Sequence, residues 1–364
     1  MRIVVKLGTS ILTGGTLYLN RQRMLEIVQQ IAQLQVAGHE TVVVSSGAMA
    51  AGNERLNFPD LSRAVPAKQM LSAVGQSRLM HHYAMLFDIF DIIVGQVLLT
   101  REDLNDRLRY LNARNTLLTL IERRIIPIVN ENDTTATHEI RVGDNDNLSA
   151  LIANLVEADL LVILTDQPGL FTADPRTHDD AELIPQVEHI DEITWSLAGG
   201  VGSTVGTGGM VTKIQAAQLA SRSGVVTVIA SGKEADVLRR IINGERIGTR
   251  FEAQTSKLES RKRWLLAEKP RGTLMVDVGA AERLVKNGAS LLPVGMTSVY
   301  GHFERGAVVV VSDPDGMNIA QGVSNYNSDD LLKLCRKHSR EINDILGYSY
   351  GDAVIHRNDM VLLV

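Results

Sequence analysis

Only one cysteine, Cys335, occurs in the 364 residues, so no intrachain disulfide can form and a reducing compartment is expected. Aromatic residues are scarce, with 2 Trp, 7 Tyr and 6 Phe, which argues against extensive base-stacking platforms. Charge of one sign is lacking too. The 37 Lys and Arg against 42 Asp and Glu leave a net of −5, and no whole-protein basic field for nucleic acid or an anionic membrane. Uncharged apolar runs such as Ile92–Thr100 fall far short of the ~20 residues that span a membrane. The start MRIVVKLGTS carries no signal-peptide pattern. A soluble, cytoplasmic protein is expected. What is present is ordinary globular usage, 45% hydrophobic and 22% charged, with length enough for two domains.

The first two-thirds alternates short β-branched runs with helix-period stretches. Strands are expected at Ile3–Val5, Thr41–Ser45, Ile92–Leu98, Ile125–Val129, Leu160–Leu164 and Val225–Ala230. Each is apolar on both faces, as in central strands of a parallel sheet covered by helices. Met24, Ile27, Val28, Ile31 and Leu34 repeat at helical spacing, with Gly38 placed as a C-terminal cap. Leu104, Leu108, Leu111 and Leu118 repeat likewise. This is the pattern of an α/β domain, an αβα sandwich, over residues 1–255. Residues 256–271 are polar and basic without a strong period and read as a linker, and 50–68 reads as a loop. Residues 272–364 form a small, mostly-β second domain, with strands at Leu274–Val278, Ser298–Tyr300, Ala307–Val311, Asn318–Val323 and Met360–Val364. One helix is expected there, through Leu331, Cys335, Ile342 and Ile345.

Polar or glycine residues follow several strands, where open α/β sheets place their ligands. Lys6-Leu7-Gly8-Thr9-Ser10 offers a movable charge and a glycine turn, or simply a solvated loop. Ser45-Ser46-Gly47-Ala48 suits an anionic ligand, or an ordinary serine cap. Asn130-Glu131-Asn132-Asp133 and Gly143-Asp144-Asn145-Asp146-Asn147 could hold an amino acid, orient lysines or bind a hard cation. They could also be Asx-rich turns. An EF-hand is excluded, since the second run lacks the required glycine and has Leu155 at loop position twelve. Thr165-Asp166 opens a Pro-Gly turn that could cradle adenine or ribose, and the glycine-rich run 199–209 feeds a helix start carrying Lys213.

Other chemistries are absent. No Walker spacing and no G-x-G-x-x-G after a strand exist, and His356-Arg357-Asn358 replaces the H-R-D of protein kinases in the wrong domain. The histidines lack zinc-like spacing, Cys335 reads as a core residue, and His338 on the same helix face reads as a packed or half-exposed side chain rather than a ligand.

In order along the chain, VVKLGTS, SSGA, NEND, VGDNDNLSA, LTDQPGLFTADPR and GTGGMVTK resemble the amino-acid kinase family, most closely its glutamate-phosphorylating branch. GASLLPVG, GHFERG, IAQG and HRND resemble a PUA domain, which sister kinases of acetylglutamate, carbamate, aspartate and uridylate do not usually carry. The resemblance implies transfer of the ATP γ-phosphoryl group to the side-chain carboxylate of L-glutamate, dependence on Mg²⁺, feedback inhibition by L-proline, and a homotetramer. It implies that Lys6 and Lys213 stabilise the transferring phosphoryl group and that Asp146 orients them. Ser46, Asp133 and Asn145 match glutamate-binding positions. Lys6, Thr165, Asp166, Thr207, Gly208, Gly209, Met210, Val211, Thr212 and Lys213 match the nucleotide site. Phe171 stands where the family often has tyrosine, so a hydroxyl contact to nucleotide is lost there. RNA binding through the PUA part is the competing reading. It is disfavoured because residues 256–364 hold 14 basic and 13 acidic residues, four of the basic ones at 257–263.

Overall fold

Side-chain alternation along the first strand sets the plan of the larger unit. In β1 (Arg2–Leu7), Ile3, Val5 and Leu7 join one apolar cluster while Val4 joins the opposite one. Both faces must therefore be covered, which the strand's Val/Ile-rich composition demands. The computed structural model describes residues 1–61, 64–136, 144–199 and 209–364. These divide into two compact units, Met1–Lys257 and Leu258–Val364.

In the first unit β1 is followed by β2 (Glu40–Ser45), β3 (Val94–Leu99), β4 (Ile126–Glu131), β5 (Leu160–Thr165), β6 (Gln186–Val187), β7 (Val226–Ser231) and β8 (Thr249–Phe251). Their order is β3-β4-β2-β1-β5-β7-β8-β6, with every pairing parallel except β7 with β8. One face packs on Arg21–Val36 through Met24, Ile27 and Ile31, and on Val65–Asp88 through Leu79, Tyr83 and Phe87. The other packs on Arg107–Glu122, Asp144–Leu155 and Met210–Ser221 through Leu117, Ile152 and Ile214. The unit is an αβα sandwich on a mostly parallel sheet. The chain runs outward from β1 through β2 to one edge, then returns beside β1 as β5 and runs the other way. Loops at the carboxyl ends of these strands therefore part around β1, where such sheets open a crevice.

Several expectations need correction. β6 and β8 were not foreseen; at two and three residues they are too short for a periodic signal. The 50–68 stretch is not one loop, because helices occupy Ala48–Arg55 and begin again at Val65. Those helices cross backbone to backbone: a Cβ added at Gly75 would lie 1.8 Å from the Ala48 carbonyl oxygen, and one at Gly52 2.0 Å from that of Leu71. The leucine repeat from Leu104 to Leu118 spans two helices, Arg101–Asn105 and Arg107–Glu122, because Asp106 caps the second by accepting from the Arg109 N–H at 2.9 Å.

The second unit carries β9 (Gly272–Val276), β10 (Met296–Tyr300), β11 (Val308–Ser312), β12 (Asn318–Val323) and β13 (Met360–Leu362), in the order β10-β9-β11-β12-β13. Only β9 and β11 pair in parallel. Of the segment read as a linker, Lys257–Ala267 is helical, and Val278–Asn287 adds a helix that was not expected. The single expected helix through Cys335 is two, Ser328–Leu334 and Ile342–Leu346. Arg336 turns left-handed (φ 61°) and donates its N–H to the Pro293 and Met296 carbonyls, which stops the first. Cys335 is half-buried beyond that helix end, where burial pushes its thiol pKa up, as for a packing residue. No helix among the described residues is long and apolar enough to cross a membrane.

Candidate active site

Lys6 sits one pleat beyond Val4 on the same face of β1, the face covered by Asp144–Leu155. An ammonium group there is inside the sandwich, and Lys6 is only 4% exposed. Asp146, in the first turn of that covering helix and fully buried, meets it: Lys6 Nζ lies 2.6 Å from Asp146 Oδ1. The first turn is also where the helix dipole favours a carboxylate. Lys213, 7% exposed in the first turn of Met210–Ser221, places Nζ 3.2 Å from Asp146 Oδ2. A cation is disfavoured at a helix N-terminus, so Asp146 offsets that penalty. The Thr212 hydroxyl donates to the same oxygen at 2.7 Å.

Burial alone would raise the Asp146 carboxyl, but Lys6 and Lys213 outweigh it and hold it below the usual carboxylate range. For Lys6 the balance tips the other way. Burial, aided by Lys213, lowers its pKa despite Asp146. Asp146 thus holds two ammonium groups in a dry place, where they present fixed positive charge to a bound anion.

Beside this trio lies a polar cluster at the ends of β2 and β4. The Ser45-Ser46-Gly47 turn is not a serine cap. Gly47 occupies the cap position of Ala48–Arg55 at φ 102°, a left-handed conformation glycine adopts without strain. Ser45 Oγ instead bonds Tyr83 Oη at 2.7 Å, and Ser46 Oγ accepts from Asn145 Nδ2 at 3.0 Å. Asn145 Nδ2 also donates to Asn130 Oδ1 at 2.9 Å, and Asn130 Nδ2 to Gln76 Oε1 at 2.8 Å. Asp133 is half-buried in the turn two residues past β4.

On the opposite side of β1, Thr165 ends β5, donates from Oγ1 to Asp166 Oδ1 at 3.1 Å, and accepts from the Gly232 N–H at 2.8 Å. Gly209 caps Met210–Ser221, whose free N–H groups at Met210, Val211 and Thr212 suit a phosphate. Thr207 and Gly208 lie outside the described residues, as does Gly143. Among the described residues no three His, Cys, Asp or Glu side chains gather as a metal cage.

The structure thus brings Lys6, Asp146 and Lys213 together, and joins Ser46 to Asn145. Thr212, matched by resemblance to nucleotide, also braces Asp146. Sequence reasoning misses Gln76 and Tyr83, whereas Asn130 opens a run that it singles out. The row Leu71, Gly75, Leu79, Tyr83 and Phe87, each four apart, is the signal that could have placed Gln76 on a helix facing the sheet.

Residues 1–231 match the Amino acid kinase family and residues 272–346 match the PUA domain. The chain is 53% identical over 363 residues to the glutamate 5-kinase of Deinococcus radiodurans, covering 100% of both chains. It is 54% identical to that of Sodalis glossinidius and 55% identical to that of Herpetosiphon aurantiacus, each over 99% of this chain and 98% of the relative.

Proposed function

The chain belongs to the amino acid kinase family, and we propose that it transfers the γ-phosphoryl group of ATP to the side-chain carboxylate of L-glutamate. The product is γ-glutamyl phosphate, the first intermediate of proline biosynthesis. The observation that carries this reading is the single Asp146 carboxylate gripped at one oxygen by Lys6 and at the other by Lys213.

A carboxylate is already a competent nucleophile near neutral pH, so no general base is required. An oxygen of the glutamate γ-carboxylate forms the new O–P bond as the bond from γ-phosphorus to the bridging oxygen breaks, and that bridging oxygen leaves with ADP. What must be overcome is repulsion between two anions. Lys6 and Lys213 supply fixed positive charge for the phosphoryl oxygens, and Asp146 holds both ammonium groups in place before substrate arrives. Ser46, Asp133 and Asn145 hold glutamate. Thr165, Asp166 and the run Gly209 to Lys213 hold the nucleotide, and the resemblance assigns Thr207 and Gly208 to it as well. Asp146 is engaged by both lysines, so the residues present fit Mg²⁺ carried in on the nucleotide phosphates, as part of the substrate.

Feedback inhibition by L-proline, a homotetrameric assembly and a cytoplasmic location belong to the same reading. The near-neutral residues 256–364 argue for a structural or regulatory second domain over an RNA-binding one. The test is ATP turnover with glutamate, N-acetylglutamate, aspartate and carbamate, each with and without proline. Turnover on glutamate alone, suppressed by proline, is expected. Absence of glutamate-dependent turnover overturns the reading.

A further inference from the structure

Three side-chain amides run head to tail, from Asn145 through Asn130 to Gln76. Two backbone groups fix the direction of this relay. The Glu131 N–H donates to Asn130 Oδ1 at 2.9 Å, and the Ser45 carbonyl accepts from Asn145 Nδ2 at 3.3 Å. A backbone N–H can only donate and a backbone carbonyl can only accept. Asn130 must therefore turn its NH₂ toward Gln76, and Asn145 must turn its NH₂ toward Ser45, Ser46 and Asn130.

One acceptor and one donor are left over. Among the described residues, Asn145 Oδ1 at one end and Gln76 Nε2 at the other are buried without a hydrogen-bond partner. Ser72 Oγ, one turn earlier on the helix of Gln76, is in the same condition. Buried polar atoms left unpaired cost stability, and their retention next to the Ser46–Asn145 contact calls for a functional cause.

We propose that Gln76 is a positioning residue for the amino-acid substrate. Its Oε1 accepts from Asn130 Nδ2 and so adds to the Glu131 N–H in holding the Asn130 amide one way round, and that amide in turn reinforces the orientation that leaves Asn145 Oδ1 unpaired. A buried acceptor left unpaired suits the ammonium group of an α-amino acid. A reversed relay would offer NH₂ there and repel it. The proposal rests on the glutamate-binding role given to Asn145 above.

The test is steady-state kinetics of the full chain carrying Gln76→Met, which preserves size and removes the acceptor. Glutamate KM is expected to rise about 10-fold or more, with ATP KM and kcat changed less than about threefold. The same substitution is then made on Asn130→Asp, whose two oxygens can present only acceptors to Asn145. There the glutamate penalty should shrink below about threefold, because Gln76 has no orientation left to set. A structural role alone would give equal penalties in both backgrounds and overturn the proposal. So would an unchanged glutamate KM in Gln76→Met while the unaltered chain uses glutamate. Failure of the unaltered chain to use glutamate overturns this proposal and the functional reading together. If the methionine variant does not fold, Gln76→Ala serves in both backgrounds, with the same expectations.

Discussion

Lys6 and Lys213, 207 positions apart in the chain, bear on opposite oxygens of one buried carboxylate, at 2.6 and 3.2 Å from Asp146. One comes from the central strand and the other from the first turn of a helix across the sheet's carboxyl edge. Their separation is thereby set by a rigid planar group and not by two flexible side chains.

Removing one cation from such a clamp should cost turnover more than binding. Lys213→Ala is expected to lose roughly 10²–10³ in kcat with a smaller change in glutamate KM. Near-normal kcat in initial-rate assays would sink the assignment.

The glutamate pocket should respond in the opposite sense. Ser46→Ala, Asp133→Ala and Asn145→Ala are expected to raise glutamate KM by roughly 10-fold or more, and ATP KM by less. Titrations of both substrates check this, and an unchanged glutamate KM in all three counts against the pocket.

Alkaline pH should reach Lys6 early. Its folded pKa is lowered by burial, with Lys213 adding to the effect, so between that value and the unfolded one near ~10.4 the unfolded chain binds the extra proton. Across that window stability from this group rises with pH while the transferring cation is lost. The kcat/KM for ATP should fall before the ordinary lysine range without any loss of far-ultraviolet ellipticity. For Asp146 the sign is reversed: its contribution is present above about 3.9 and is lost only as pH drops through its depressed value. A rate that stays flat past the ordinary lysine pKa contradicts the first statement.

Gly75→Ala tests the helix crossing. The new methyl would meet the Ala48 carbonyl oxygen at 1.8 Å and the Gly52 nitrogen at 2.4 Å, both backbone atoms that cannot swing aside. A loss of about 1–3 kcal/mol or more is expected, at roughly 2–4 °C of Tm per kcal/mol. Because Ala48 directly follows the Ser46-Gly47 turn, glutamate KM should rise too. Calorimetry showing an unchanged Tm would refute the contact.

Much of the sandwich was legible because its central strands are Val/Ile runs with an abrupt polar or glycine end, as in Val4-Val5-Lys6 and Val43-Val44-Ser45. The helix Val65–Asp88 was less so. Its buried row passes through Gly75, which interrupts an apolar stripe with a residue chosen for close approach and not for hydrophobicity. The C-terminal helix was misread because nothing in Leu331 to Ile345 announces the left-handed turn at Arg336. In the site, strand ends located Lys6, Ser46 and Thr165, while the meeting of Lys6 with Asp146 and Lys213 depended on resemblance. No spacing rule links a strand residue to helices entered some 140 and 207 positions later. Gln76 was invisible for a related reason. A glutamine on a buried helix face shows its purpose only once Asn130 stands opposite it.

The backbone of Lys6 is paired on both sides, with Val44 of β2 and Ile163 of β5. Amide protons in such a central ladder exchange with solvent only when the whole unit opens, whereas the short helix Ala48–Arg55 and the turn before it can open locally. Inactivation by mild denaturant should then begin as a weakening grip on the amino acid. The capacity for phosphoryl transfer at saturating amino acid would survive until the cooperative transition, so one molecule would fail in two separable stages.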